Sequence, residues 1–277
     1  MLGVKPTNSC TCRDNDLKEN KFIKSIADST QILADVRNLT KRDSLACVPQ
    51  LWDLIGLVTP ATIELRINLE ELWRAGYSLD EIPPEQIQTK WRKKVQTHSQ
   101  HLAHEFNRKL KPDTAAGLAG IHGFFDSGEK AYESTIFVRW KLADGSYRSI
   151  PLMITALDAP LKKISVPSLE LMGCLSLARL YSTYKEALEF AVITRCNSMS
   201  WMDYHTVLTW IRSYSRKFKP FVSVRVADIQ EALETEAFRY VRSACNPFDL
   251  LTRGAPPEEL KSWMEGPPVL WFPEEEW

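Results

Sequence analysis

The chain has 277 residues, 44% hydrophobic and 25% charged, so it can build ordinary globular cores and is long for one small domain. Lys plus Arg and Asp plus Glu number 35 each, which excludes a global polycation; any nucleic-acid site must be a local patch. No basic start leads into an apolar core, and the apolar runs fall far below the roughly 20 residues of a membrane span, so neither a signal peptide nor a membrane helix is expected.

Residues 6–20 are polar and aperiodic and read as a loop. Residues 30–75 are mostly helical in pattern, broken by Gly56 and Pro60. After Pro83-Pro84 the apolar positions Ile87, Trp91, Val95, Leu102, Phe106 and Leu110 mark one face of a helix over about 85–110. The texture changes after Thr114. Three strands are expected at about 118–126, 131–141 and 146–155, the last two joined by Asp144-Gly145 as a hairpin turn. Leu171, Cys174, Leu175 and Ala178 then fall at helical spacing within about 167–190. A strand near 197–202, helices near 204–213 and 220–234, and a short strand at 238–241 complete the pattern. This order implies a mixed sheet covered by helices. Trp52, Trp73, Trp91 and Trp140 read as core or interdomain packing.

Six cysteines include one close pair, Cys10 and Cys12, with nothing to complete a zinc pattern, so reduced thiols of an intracellular protein are expected. His98, His101 and His104 spread around their helix and read as a solvated face.

Four acids stand at informative places. Asp126 ends the first strand, Glu170 opens the long helix, Asp203 follows the fourth strand, and Asp249 lies in the last helical segment. Strands one and four are expected side by side, which would bring Asp126 and Asp203 together. Clustered carboxylates are costly unless cations neutralise them. Two Mg²⁺ ions, with Mn²⁺ as a substitute, would do so, and in-line phosphodiester cleavage uses two such metals. His205 lies close enough in sequence to face them. Two basic runs are candidate phosphate contacts. One is Lys90, Arg92, Lys93 and Lys94; the other, interleaved with Trp210, Tyr214 and Phe218, is Arg212, Arg216, Lys217, Lys219 and Arg225.

The segments IHGFFDSGEKAY, APLKKISVPSLELMGCLSLARL, SWMDYHTVLTWI and FRYVRSACNPFDLLTRGAPPEEL resemble the ribonuclease H-like region of BEL/Pao retrotransposon polyproteins. Upstream, KRDSLACVPQLWDLIGLVTPATIELRINLEELW is similar to the thumb or connection that follows the polymerase palm in that family, and MLGVK to the palm's end. The resemblance implies an α/β fold: a ribonuclease H-like, mixed five-stranded sheet covered by helices, preceded by a mainly helical thumb/connection segment. It divides the chain into 1–112 (palm end and helical segment), 113–254 (ribonuclease H-like domain) and 255–277 (a Pro/Glu/Trp-rich tail leading toward an integrase). It assigns Asp126, Glu170, Asp203 and Asp249 as catalytic metal ligands, and an RNA–DNA hybrid as substrate. It also implies an upstream polymerase and a downstream integrase as polyprotein partners, and a cytoplasmic particle or the nucleus as the place of action.

The chain departs from the family beside those ligands. Ser127-Gly128 replace Ala-Ser, Glu133 replaces a glycine, Tyr204 a serine and Phe248 an alanine, which reads as a drifted copy. Two alternatives therefore stand: a catalytically inactive, nucleic-acid-binding remnant, and an aspartic endopeptidase, since Phe124-Phe125-Asp126-Ser127-Gly128 fits that signature and the family carries a peptidase name. The sequence holds no second Asp-Ser/Thr-Gly motif to supply the partner aspartate.

Overall fold

The Asp144-Gly145 turn sets the register of the outer hairpin. Gly145 takes a φ of 88°, and the Asp144 carboxylate accepts the N–H and O–H of Ser146 at 2.9 and 2.7 Å. The computed structural model describes residues 39–47, 55–56, 59–101, 109–190, 195–243, 246 and 264–277. Five strands form one mixed sheet: β1 (Ala119–Ser127), β2 (Ala131–Lys141), β3 (Tyr147–Asp158), β4 (Arg195–Met202) and β5 (Phe238–Tyr240), ordered β3-β2-β1-β4-β5. β1–β2 and β2–β3 are antiparallel, whereas β1–β4 and β4–β5 are parallel. The sheet therefore puts the ends of β1 and β4 beside each other, as the sequence order required.

β1 is buried along nearly its whole length because both its faces are covered. Ile121 and Phe125 join a core with Leu171, Cys174, Leu175 and Ala178 of the long helix Val166–Phe190. Gly123 lets that helix close in: a Cβ there would stand 2.8 Å from the Leu177 methyls. The helix Pro220–Ala232 adds Val226 and Ile229 to the same core, and the short helix His205–Ile211 adds Val207, Leu208 and Ile211.

Phe124 turns to the other face, where it meets Phe137, Ile154, Trp201 and Leu270. Leu270 belongs to residues 264–277, which the sequence suggests as a tail. They fold back across the sheet instead. The Arg139 guanidinium donates to the Leu270 and Phe272 carbonyls at 2.9 and 2.6 Å, and the Ser149 hydroxyl to the Glu265 carbonyl at 2.6 Å. Periodicity could not reveal this, because a strap held through its own carbonyls needs no repeating apolar pattern.

Among the described residues three helices precede the sheet: α1 (Lys41–Cys47), α2 (Thr59–Arg74) and α3 (Glu85–His101). In chain order the later ones are α4 (Val166–Phe190), α5 (His205–Ile211) and α6 (Pro220–Ala232). α2 lies against the sheet, with Ile63 and Ile67 buried on Ala131 and Ala156, and with Arg66 reaching the Ala156 carbonyl and Asp158. The Ile154 amide donates to the Ile55 carbonyl at 2.9 Å; Gly56 beside it has a φ of 80°, and a Cβ there would fall 2.0 Å from the Ile154 oxygen. The helical segment is thus stitched to the outer strand. The helix expected over 85–110 is shorter: Lys109 and Leu110 are not helical, and 102–108 lie outside the described residues. Trp91 and Trp140 are buried, whereas Trp73 is half exposed under the Lys41 ammonium, 3.4 Å from its ring. Trp52 lies outside the described residues.

Candidate active site

Asp126 is the penultimate residue of β1 and follows a run that the sheet buries, so its carboxylate is delivered at a rigid strand end. β4 ends at Met202, and Asp203 follows at once. Glu170 sits just past the first turn of α4, because that helix starts at Val166; the Ser165 carbonyl accepts the amides of Ser168 and Leu169 there. Gly173, one turn on, brings α4 onto the strand ends: a Cβ there would lie 3.3 Å from the Asp126 carbonyl. One carboxylate oxygen from each of Asp126, Glu170 and Asp203 lies within 4.8 Å of the others. Asp126 and Glu170 are buried, and Asp203 is partly exposed.

Burial, with the carboxylates of Asp126 and then Asp203 nearby, pushes Glu170 up to about 8. The amide and hydroxyl of Ser127 pull it back in part, although that hydroxyl makes no hydrogen bond of normal geometry. The Glu170 Oε2 atom is buried without a partner. Such an oxygen is expensive unless something cationic meets it.

Glu133 is the residue that sequence reasoning passed over as a participant. It pairs directly with Asp126 across the β1–β2 hairpin, so the two side chains share one face. It is 1% exposed, and its Oε1 has no partner. Burial, and then Asp126, hold its carboxyl well above the usual range. The signal was available: the tight return at Gly128, whose amide donates to the Ala131 carbonyl, sets 126 opposite 133.

Asp249 lies outside the described residues. Asn246, three positions earlier, is buried, and its amide reaches the Phe125 carbonyl at 3.5 Å. Tyr204 tucks partly into the main core and gives α5 no side-chain cap, which a serine could have provided. His205 stacks on Tyr240, with ring centroids 4.0 Å apart.

The two basic runs fare differently. Lys90 and Lys94 pair with Glu71 and Glu64 of α2, and Arg92 with Glu85 at the start of its own helix, so acids outside the run neutralise them. In the second run Arg216, Lys217 and Lys219 are exposed, beside Tyr214 at 80% exposure. Arg212 donates to the Phe238 carbonyl at 3.0 Å, and Arg225 to Phe221. The side chains of His98 and His101, and all of His104, lie outside the described residues. Among the described residues no helix is long and apolar enough to cross a membrane.

The sheet order, with acids at the ends of β1 and β4, meets a decisive comparison: the model of the Pao retrotransposon-like RNaseH-like domain matches residues 40–203, more than half the chain. The chain belongs to this family. Its fold is ribonuclease H-like, of the retrotransposon type. No curated protein matches it. Among solved structures it is similar to the N-terminal RNase H domain of a Mycobacterium tuberculosis protein, solved as a fusion with maltose-binding protein. There the identity is 15% and the TM-score 0.32, over 52% of this chain and 99% of that one. It is also similar to the foamy viral protease–reverse transcriptase in two complexes with double-stranded DNA. Those match at 10% and 9% identity, both with a TM-score of 0.42, over 78% of this chain and 34% and 41% of theirs.

Proposed function

We propose that this Pao RNaseH-like domain cleaves the RNA strand of RNA–DNA hybrids, with Asp126, Glu170, Asp203 and Asp249 as ligands for two Mg²⁺ ions. The observation that carries the reading is the convergence of three carboxylates within 4.8 Å, one of them with a buried, unpartnered oxygen. The donors fit a hard divalent cation, since all are carboxylate oxygens. Such cations, when bound, supply the charge neutralisation that an attacking hydroxide and a leaving 3′-oxygen need.

The chain's own residues do the rest. β1 and α4, packed through Gly123 and Gly173, fix Asp126 and Glu170 with little freedom. Asp203 leaves one side of the cluster open to solvent, where a phosphodiester can approach. Arg216, Lys217 and Lys219 would hold the backbone electrostatically, and Arg212 would steady the loop that carries them. Asp249 is assigned on the family resemblance. In the intact element this unit would follow a polymerase and precede an integrase, its helical segment serving as the connection, in a cytoplasmic particle or the nucleus.

The test is a labelled RNA–DNA hybrid with Mg²⁺ or Mn²⁺. Parent protein should cut it, and the Asp126→Asn, Asp203→Asn variant should lose at least about 10³ of the rate. No cutting by the parent overturns the reading. An inactive, nucleic-acid-binding remnant is then the second reading, and Glu133 favours it, because an extra buried carboxyl beside Asp126 burdens the site. Pepstatin-sensitive peptide cleavage would instead revive the aspartic endopeptidase.

A further inference from the structure

One exposed feature beside the carboxylates has no role in packing. Tyr240 is the last residue of β5 and pairs with Met202, the last residue of β4. Asp203 follows Met202 directly. His205 opens α5, and its ring lies flat on Tyr240, with centroids 4.0 Å apart and planes 14° from parallel. Both rings face solvent, Tyr240 at 42% exposure. Core packing does not account for the pair, because Phe238 already fills the core from β5 and Val241 fills the other face.

Position matters as much as exposure. β1, β4 and β5 run parallel, and the stack stands at their carboxyl ends together with the acids. Ligands of α/β sheets bind outside the carboxyl ends of the strands. Two chain steps separate His205 from Asp203, so their Cα atoms lie within roughly 8 Å. Arg242, two residues past Tyr240, is exposed on the same margin. Flat aromatic faces with cations alongside are what a nucleobase and its flanking phosphate require.

We propose that the His205–Tyr240 stack is a base platform. It receives a nucleobase of the cleaved strand that is unstacked where the hybrid gives way to single strand, while Arg242 meets the flanking phosphate. This rests on the nuclease reading and adds to it a contact that does not depend on metal.

The experiment measures equilibrium binding of a fluorescent RNA–DNA hybrid that ends in a single-stranded RNA overhang, in EDTA and over a salt series, so that no cleavage is needed. Tyr240→Ala should weaken binding by about 5- to 100-fold, from the usual strength of base–aromatic stacking. Tyr240→Phe should bind within about twofold of the parent, since it keeps the ring. His205→Ala, which leaves Tyr240 in place, should show an intermediate loss. None of these three should alter the salt slope, whereas Arg242→Ala should lower it by about one. Unfolding midpoints equal to the parent's would exclude a folding defect. If Tyr240→Ala binds like the parent, the platform is overturned even where the parent cuts hybrids. If the parent binds, Tyr240→Ala does not and neither cuts, the platform stands and the nuclease reading falls. A parent that binds no hybrid at all overturns both.

Discussion

Two buried polar clusters sit on this sheet, and they are built to opposite rules. On the strap side Arg139 gives its guanidinium to the Leu270 and Phe272 carbonyls, lies 3.8 Å from the Tyr147 ring and 4.8 Å from that of Trp277. His122 beside it accepts the Trp201 indole N–H at 3.2 Å. At the strand ends, Asp126, Glu170 and Glu133 crowd carboxyl groups together, and two of their oxygens have no partner. A satisfied network specifies structure; an unsatisfied one is a cost that a fold bears for function. Stability and chemistry are thus divided between the two ends of the same strands.

Changes to Arg139 should break this contrast most. Arg139→Ala strands two carbonyls and removes the strap's anchor, so unfolding free energy should fall by about 3 kcal/mol in urea titration. A loss below about 1 kcal/mol would mean the strap is not a structural element.

The pH profile sharpens the contrast next, since the clusters pull in opposite directions. Glu170 titrates at about 8 when folded, against an ordinary value of 4.5. The metal-free folded state therefore keeps a proton that the unfolded chain has released. Its stability is present below pH 4.5 and is lost as pH rises to 8, by up to about 1.4 kcal/mol per pH unit. His122 is held down to about 3, first by burial and then by Arg139. There the unfolded chain binds the extra proton, so stability is lost as pH falls from 6.5 toward 3. Denaturant midpoints should therefore show Glu170→Gln pulling ahead of the parent as pH rises, and His122→Phe gaining on it as pH falls. Parallel profiles would dissolve the distinction.

The smallest effect belongs to Glu133. Glu133→Gln keeps the volume and removes the carboxyl opposite Asp126, so the metal-free protein should gain about 1 kcal/mol at pH 8. Calorimetric Mg²⁺ titration of the same variant separates two roles. Unchanged affinity fits a burden left by drift, and a loss fits a carboxyl that helps hold the cation.

Much of the architecture was legible beforehand because its signals are local. The Asp144-Gly145 turn, the apolar strand runs and the helical stripe at Leu171, Cys174, Leu175 and Ala178 each need a few neighbours to be read. The acids at the ends of the first and fourth strands were nameable for the same reason, since each closes a segment whose type the pattern reveals. The basic run at Lys90–Lys94 shows the limit. It contains no acid of its own, and its neutralisation by Glu64 and Glu71 of α2 follows from helix packing alone.

The sequence by itself determined the order of strands and helices and the kind of residue that ends each, because periodicity and turn chemistry act over a handful of positions. Tertiary structure alone decided the pairings across distance: His205 against Tyr240, and residues 264–277 against Arg139. Such contacts depend on register and on the closure of long loops, which no short window of sequence encodes.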